Sequence, residues 1–154
     1  MESLNFPELN FEFQFDQQKK LIFDIVRKKF IPFTPEEWVR QHCIVFLNQI
    51  LGIPLSRMAI ERSISFNGLI KRFGIVTFSL KGTPEILVEC KAPEIPLSQK
   101  TLIQAGVYNT KLDTPFIWLT NGFQHIWLKK EHNNYDLISF PTQMLDLTES
   151  KTRG

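Results

Sequence analysis

Alternating apolar residues near the start of the chain predict a β-strand. Phe11, Phe13 and Phe15 recur at a spacing of two, the spacing at which side chains on one face of a strand repeat. The polar stretch 16–20 breaks this pattern. We expect the apolar run Leu21–Val26 to be the hairpin partner of the first strand, and a short segment at Phe30–Phe33 to close the region.

The next segment has the signals of a helix start. Thr34 suits the N-cap, Pro35 suits the first helical position, and Glu37 stands where it completes a capping box. Gly52 and Pro54 mark the end of this helix. The residues of its apolar face recur at helical spacing: Val39, Cys43, Phe46, Leu47 and Ile50.

The middle of the chain reads as three strands at 58–66, 72–80 and 85–91. Asn67-Gly68 predicts the first intervening turn, and the stretch 81–84 predicts the second. A second helix is expected from an N-cap at Ser98 to about Leu112.

The remaining sequence predicts two or three more strands. Residues 115–120 (PFIWLT) form a short buried strand, Asn121-Gly122 a turn, 123–128 another strand and 135–140 an edge strand. This order predicts a single α/β domain with a mixed central sheet flanked by helices. We divide it into an N-terminal hairpin extension (1–33), a core with its edge strands (34–147) and a tail (148–154).

Composition and charge restrict the class of protein only loosely. With 154 residues, 43% of them hydrophobic, the chain can bury a substantial core. The net charge of +2 does not require a nucleic-acid partner, and small clusters such as Lys71-Arg72 fit a solvated face as well as a phosphate-binding groove. The sequence lacks a signal peptide, a membrane-spanning run and a nucleotide-binding P-loop, so we expect a cytoplasmic protein without a nucleotide ligand.

Histidine and cysteine residues give weaker signals. Cys43 and Cys90 have neither metal-finger spacing nor nearby partners in sequence, which favours two buried thiols. His42 and His125 are isolated, and such histidines are more often structural than catalytic.

The segment with the clearest chemistry is ILVECK (86–91). Residues two apart on a strand share a face, so Glu89 and Lys91 should lie side by side, with Val88 and Cys90 facing the core. A carboxylate beside an ammonium suits metal-dependent phosphodiester hydrolysis. An ordinary salt pair is the competing interpretation.

A four-residue loop at 81–84 would set the register of the preceding strand. It pairs Leu80 with Glu85, Val76 with Glu89 and Gly74 with Lys91. Position 74 then lies on the face of Glu89 and Lys91, where a second metal-binding acid is expected. The sequence has glycine there.

Several ordered motifs resemble the N-terminal nuclease family of type I restriction-enzyme R subunits, within the PD-(D/E)XK superfamily. GLIKRFGIV and ILVECKAP resemble the D…(D/E)-x-K core, and residues 23–42 resemble the N-terminal block of the small free-standing members. Gln104 and Tyr108 match a QxxxY motif, and LTNG at 119–122 resembles the following strand and turn. The resemblance implies a restriction-endonuclease-like fold.

The resemblance also implies roles for individual residues. Glu89 would bind metal, Lys91 would be the catalytic lysine, and the Cys90 carbonyl would be a backbone ligand. Gln104 and Tyr108 would line the site and either contact the DNA backbone or steady Lys91. Lys71 and Arg72 would bind DNA. Glu37 would contact metal through water, although closing the capping box would explain it equally well. Packing alone is the competing explanation of Gln104 and Tyr108.

The resemblance implies Mg²⁺ as the cofactor and DNA as the substrate. It also implies a homo-oligomer or a complex with a restriction- or helicase-type partner protein. Gly74 departs from the pattern, because it replaces one of two principal carboxylates. If Asn67-Gly68 is a two-residue turn, Glu61 lies opposite Gly74 and would supply the missing carboxylate. Three hypotheses follow: an active or impaired Mg²⁺-dependent deoxyribonuclease, an inactive nuclease fold that binds DNA or protein, and an unrelated α/β domain.

Overall fold

A computed structural model describes residues 3–60, 63–66, 68–72 and 74–148. Its strands and helices are β1 (Phe15–Asp16), β2 (Leu21–Asp24), β3 (Lys29–Pro32), α1 (Pro35–Gln49), β4 (Met58–Ile60), β5 (Ser63–Phe66), β6 (Leu69–Arg72), β7 (Ile75–Phe78), β8 (Pro84–Cys90), α2 (Gln99–Leu112), β9 (Phe116–Thr120), β10 (His125–Glu131), β11 (Asn134–Ile138) and α3 (Met144–Thr148).

A six-stranded mixed sheet lies at the centre of the fold, in the order β11-β10-β9-β8-β7-β4. β8 and β9 run parallel, joined through α2, and the other neighbouring pairs are antiparallel. The mixed α/β class is therefore confirmed, with β11 as the expected edge strand. None of the helices within the described ranges is long and apolar enough to cross a membrane.

The two longer helices pack on opposite faces of this sheet. Along β8, Ile86, Val88 and Cys90 join the cluster of α1, whereas Leu87 joins the cluster of α2. Strand alternation explains this division, because successive side chains point to opposite faces. The predicted apolar face of α1 is confirmed. Val39, Cys43, Phe46 and Leu47 are fully buried, and Ile50 packs at its margin.

The predicted N-terminal hairpin is confirmed, because β1 and β2 pair antiparallel, and β3 adds a third strand. The first strand is shorter than predicted, since of its three alternating phenylalanines only Phe15 joins the ladder. Phe11 and Phe13 keep the predicted alternation, but Phe13 packs on Trp38 and His42 of α1 instead of extending the ladder. Ring packing on the helix therefore replaces strand pairing here.

The predicted strand 58–66 contains β4 and β5. The predicted strand 72–80 contains the end of β6 and the whole of β7. Phe66 pairs with Leu69, as a two-residue turn requires, and Ile60 pairs with Ile75 in the same register. Positions 61, 62, 67 and 73 lie outside the described residues.

Residues 3–14 form an extended N-terminal segment that packs on the body of the domain. The Asn5 amide donates to the Gly122 carbonyl at 2.8 Å, and the Phe6 ring contacts His42, Trp118 and His125. His125 Nδ1 accepts from Trp118 Nε1, which can only donate, at 3.2 Å. Its Nε2 therefore carries the proton and donates to the Asn5 carbonyl at 2.6 Å. The structural interpretation of both histidines fits these contacts.

Replacing Gly122 with alanine should destabilise the protein by about 2–4 kcal/mol. Gly122 has a φ of +90°, and a Cβ there would lie 2.9 Å from Leu4 of the N-terminal segment. Gly82→Ala is the matched control, because Gly82 has a φ of +80° but no atom within 4 Å of its added Cβ. Urea unfolding should show the larger loss for Gly122→Ala. Equal losses would mean that the backbone conformation, not the N-terminal segment, sets the cost.

The free energy of unfolding should fall as the pH falls below about 6.5. Burial lowers the pKa of both His42 and His125 from the ordinary value of 6.5. The unfolded chain then binds protons at a pH where the folded chain does not. The stabilisation that comes from keeping both histidines neutral is therefore complete above pH 6.5 and is lost as the pH falls below it. Each histidine adds a slope of at most about 1.4 kcal/mol per pH unit. Urea midpoints between pH 7.5 and 5 should show this slope, and a His42→Gln, His125→Gln double variant should lack it.

Candidate active site

The carboxyl end of β8 carries the two residues singled out in the sequence. Glu89 belongs to the strand and is only 6% exposed. Lys91 follows the strand, is half-buried, and its backbone N–H donates to the Thr120 carbonyl at 2.8 Å. Val88 and Cys90 face α1 as predicted. By alternation Glu89 shares the α2 face with Leu87.

The register between β7 and β8 differs from the prediction. Ile75 pairs with Val88 and Val76 with Leu87, not with Glu89. The pairing shifts between Thr77 and Phe78, where Phe78 meets Pro84. The turn is therefore longer than the assumed four-residue loop, and the predicted pairs Gly74–Lys91 and Leu80–Glu85 are wrong.

Gly74 is a buried bend immediately before β7. A Cβ there would lie 3.0 Å from the Val88 carbonyl oxygen, 3.3 Å from Cys90 Sγ and 3.4 Å from the Cys90 nitrogen. It would point at the β8 backbone and the Cys90 thiol. The expectation that position 74 shares the face of Glu89 and Lys91 is not met, because strand alternation does not hold where the chain bends. Any side chain here requires the backbone to shift.

Three predicted site residues, Glu61, Lys71 and Arg72, have side chains that the structure does not describe. Glu61 falls outside the described residues. Lys71 and Arg72 have their backbones in β6, but their side chains lie beyond the part of the chain that is described. Their roles as metal or DNA contacts stay predictions.

Glu37 is buried in a charged network that the sequence did not reveal. Its carboxylate accepts from Arg27 Nη2 at 2.9 Å and Gln41 Nε2 at 3.0 Å, and it pairs with Arg40. Only half of the predicted capping box forms: Thr34 Oγ1 accepts from the Glu37 amide at 3.1 Å, while the Glu37 carboxylate turns to the arginines. A role for Glu37 in holding metal would have to compete with these partners.

Asp24 completes the network from the N-terminal sheet. Its carboxylate accepts from Arg27 Nε at 2.8 Å and from Gln41 Nε2 at 3.0 Å. Burial raises the pKa of Asp24, but hydrogen bonds from Arg27 and Gln41 outweigh this effect and hold the pKa below 3.8. Burial raises the pKa of Glu37, an effect that Arg40 and Gln41 only partly offset. In the sequence, the only indication of this ionic network was a set of charged residues next to apolar ones.

Helix α2 covers the face of the sheet that carries Glu89. Leu102, Ala105, Leu112 and Tyr108 pack against the cluster that contains Leu87, which confirms the predicted packing of α2 on the sheet. Tyr108 is half-buried in this contact, whereas Gln104 is exposed. Tyr108 therefore lies on the sheet face that carries Glu89, and Gln104 faces away from the cluster.

The turn after β9 supports the position of Lys91. Thr120, whose carbonyl binds the Lys91 amide, also bonds through Oγ1 to the Gly122 amide and to His125 Nδ1, both at 2.9 Å. The buried Asn121 side chain donates to the Ile95 carbonyl at 2.8 Å and accepts from the Gln124 amide at 2.8 Å. The loops that follow the parallel strands β8 and β9 are thus joined.

The donor set does not fit a Mg²⁺ ion by itself. Mg²⁺ requires near-octahedral coordination by oxygen. Glu89 and the Cys90 carbonyl are the described candidates here, and Gly74 adds no donor. Within residues 3–60, 63–66, 68–72 and 74–148, no group of three His, Cys, Asp or Glu side chains is arranged to hold a metal.

Two solved structures resemble this fold. One is described as a fragment of an HsdR subunit of a type I restriction enzyme from Vibrio vulnificus YJ016, with 23% identity and a TM-score of 0.42. It matches 60% of this chain, which spans 18% of that chain. The other is described as a nuclease belonging to DUF820 from Anabaena variabilis ATCC 29413, with 15% identity, a TM-score of 0.47 and 74% coverage of both chains. No curated protein matches the sequence.

The sequence itself matches a known family over most of its length. The match covers residues 35–141, from the start of α1 to just after β11. It includes β8 with Glu89, the helix α2 and the turn at Asn121. The chain therefore belongs to the family described as type I restriction enzyme R protein N terminus.

Proposed function

We propose that this chain is a nuclease-fold domain that binds DNA and does not hydrolyse it efficiently with Mg²⁺. The family is named for a restriction-enzyme subunit, which makes DNA the expected ligand. The observation that carries the loss of hydrolysis is Gly74. It provides no carboxylate next to β8, and the Cβ position is crowded by the Val88 carbonyl at 3.0 Å.

Lys91 is the residue we expect to contact DNA most directly. It is half-buried at the carboxyl end of β8, where its backbone is fixed by Thr120. The ammonium group of Lys91 can neutralise one phosphate. Glu89, next to it on the α2 face, would orient Lys91 or repel a misplaced phosphate.

A second candidate function, an active nuclease, is supported by one observation. Glu61 can replace the missing carboxylate only if one pairing register runs from β4 and β7 through the hairpin of β5 and β6. Ile60 pairs with Ile75 and Phe66 pairs with Leu69, which is that register. Glu61 would then supply the second carboxylate, and a partner subunit or a second copy of the chain would supply specificity.

A plasmid-nicking assay should show cleavage no faster than the background for the unmodified protein, with either Mg²⁺ or Mn²⁺. Gly74→Asp should gain only slow nicking, because it adds a carboxylate at a position whose Cβ points at Cys90 and not along the face of Glu89. Glu89→Ala should abolish that gain. Gly74→Ala is the matched control for crowding at this position, since it adds the Cβ without the acid. A chelator should stop any nicking observed.

The same assay separates the two candidates. Chelator-sensitive cleavage by the unmodified protein that Glu61→Gln stops would establish the Glu61 site and overturn our first proposal. Robust cleavage that persists in both Glu61→Gln and Glu89→Ala would refute this interpretation of the whole site.

Binding to DNA should depend on Lys91. We expect Lys91→Ala to weaken binding to a short duplex severalfold and to reduce the salt dependence of binding by about one ion. Lys29→Ala is the matched control, because Lys29 is exposed in β3 of the N-terminal sheet. Fluorescence anisotropy at several salt concentrations gives both quantities. Equal effects of the two variants would mean that binding follows net charge and not this site.

A further inference from the structure

Cys43 and Cys90 are brought together from distant parts of the sequence. Cys43 lies on the buried face of α1 and Cys90 is the last residue of β8, yet their sulfur atoms are 4.0 Å apart. Both residues are free thiols within the same apolar cluster. The contact links α1 directly to the strand that carries Glu89.

The separation of the sulfurs is small enough to be closed by side-chain rotation. A disulfide has an S–S length of about 2.05 Å, so the sulfurs must approach by about 2 Å. Changing one staggered χ1 rotamer to another moves a sulfur by about 3 Å. Residue 74 borders the Cys90 thiol, and a Cβ there would lie 3.3 Å from Sγ. Glycine at this position leaves the sulfur space to turn.

We propose that Cys43 and Cys90 form an oxidation site that closes to a disulfide when a small hydroperoxide reaches it. Cys90 is the residue that the peroxide meets first, because it is 2% exposed whereas Cys43 is completely buried. The site requires only a reagent small enough to enter the packed cluster, so bulky oxidants are excluded.

The chemistry balances in two steps. Cys90 sulfur attacks one oxygen of hydrogen peroxide; the S–O bond forms, the O–O bond breaks, and the hydroxide leaves as water with the thiol proton. Cys43 sulfur then attacks the Cys90 sulfenic acid; the S–S bond forms, the S–O bond breaks, and the hydroxide leaves as water with the Cys43 proton. Two thiols are oxidised by two electrons, and one peroxide is reduced.

The consequence is a covalent connection between α1 and the carboxyl end of β8. The bridge would enclose β4 to β7 and the bend at Gly74. Closing a loop of this length lowers the entropy of the unfolded chain. The oxidised protein should therefore be more stable than the reduced protein.

The test is treatment of the full chain with hydrogen peroxide, followed by intact mass and peptide mapping. The bulky tert-butyl hydroperoxide is the comparison reagent and should form the bridge far more slowly. We expect a mass loss of two hydrogen atoms, a peptide pair joined through Cys43 and Cys90, and a melting temperature higher by several degrees that dithiothreitol reverses. Cys43→Ala and Cys90→Ala should each remove the joined peptides and the temperature shift.

Three results would overturn the proposal. The first is a gain of oxygen atoms on either cysteine of the unmodified protein without formation of the bridge. The second is that both thiols still react with a maleimide after oxidation and denaturation. The third is a bridge that joins two chains on a non-reducing gel. Because peptide mapping is performed on the unmodified protein, the outcome does not depend on whether the alanine variants fold.

Discussion

The arrangement of the N-terminal half depends on one buried ionic network. Asp24 of the small sheet and Glu37 of α1 are both almost fully buried, and Arg27 binds both carboxylates. Removing buried charges from water is costly unless each is paired and hydrogen-bonded. The small sheet can therefore dock on α1 in the one orientation that brings these charges together, and Gln41 bonds to both acids to complete it.

The orientation of α1 in turn sets the site at the end of β8. The face of α1 opposite the network buries Cys43 and Phe46 against β8 and β9. On the far side of the sheet, α2 is fixed at its C-terminal end by Asn109, whose buried amide bonds to Thr114 and Tyr135. The site therefore lies between two helix layers that are each held by polar contacts in an apolar setting.

Local signals in the sequence were sufficient for the elements but not for their pairing. The Thr34 and Ser98 caps begin both helices where predicted, and the alternation along β8 places Val88 and Cys90 correctly. The predicted register of β7 on β8 was wrong because it depends on the geometry of one turn. No local run of residues indicates the shift in strand pairing at Thr77. The Glu37 network was missed for a similar reason: its partners meet only after the chain has folded. The helix α3 had no cap signal that distinguished it from the tail.

The N-terminal segment also has a consequence for the order of events during synthesis. The segment leaves the ribosome before its binding site, which includes Gly122 and His125, more than a hundred residues later in the chain. Contacts of such long range form slowly, because loop closure must precede them. A phenylalanine-rich segment therefore has to wait in solvent while the rest of the domain emerges, and chaperone binding during translation has its clearest target there.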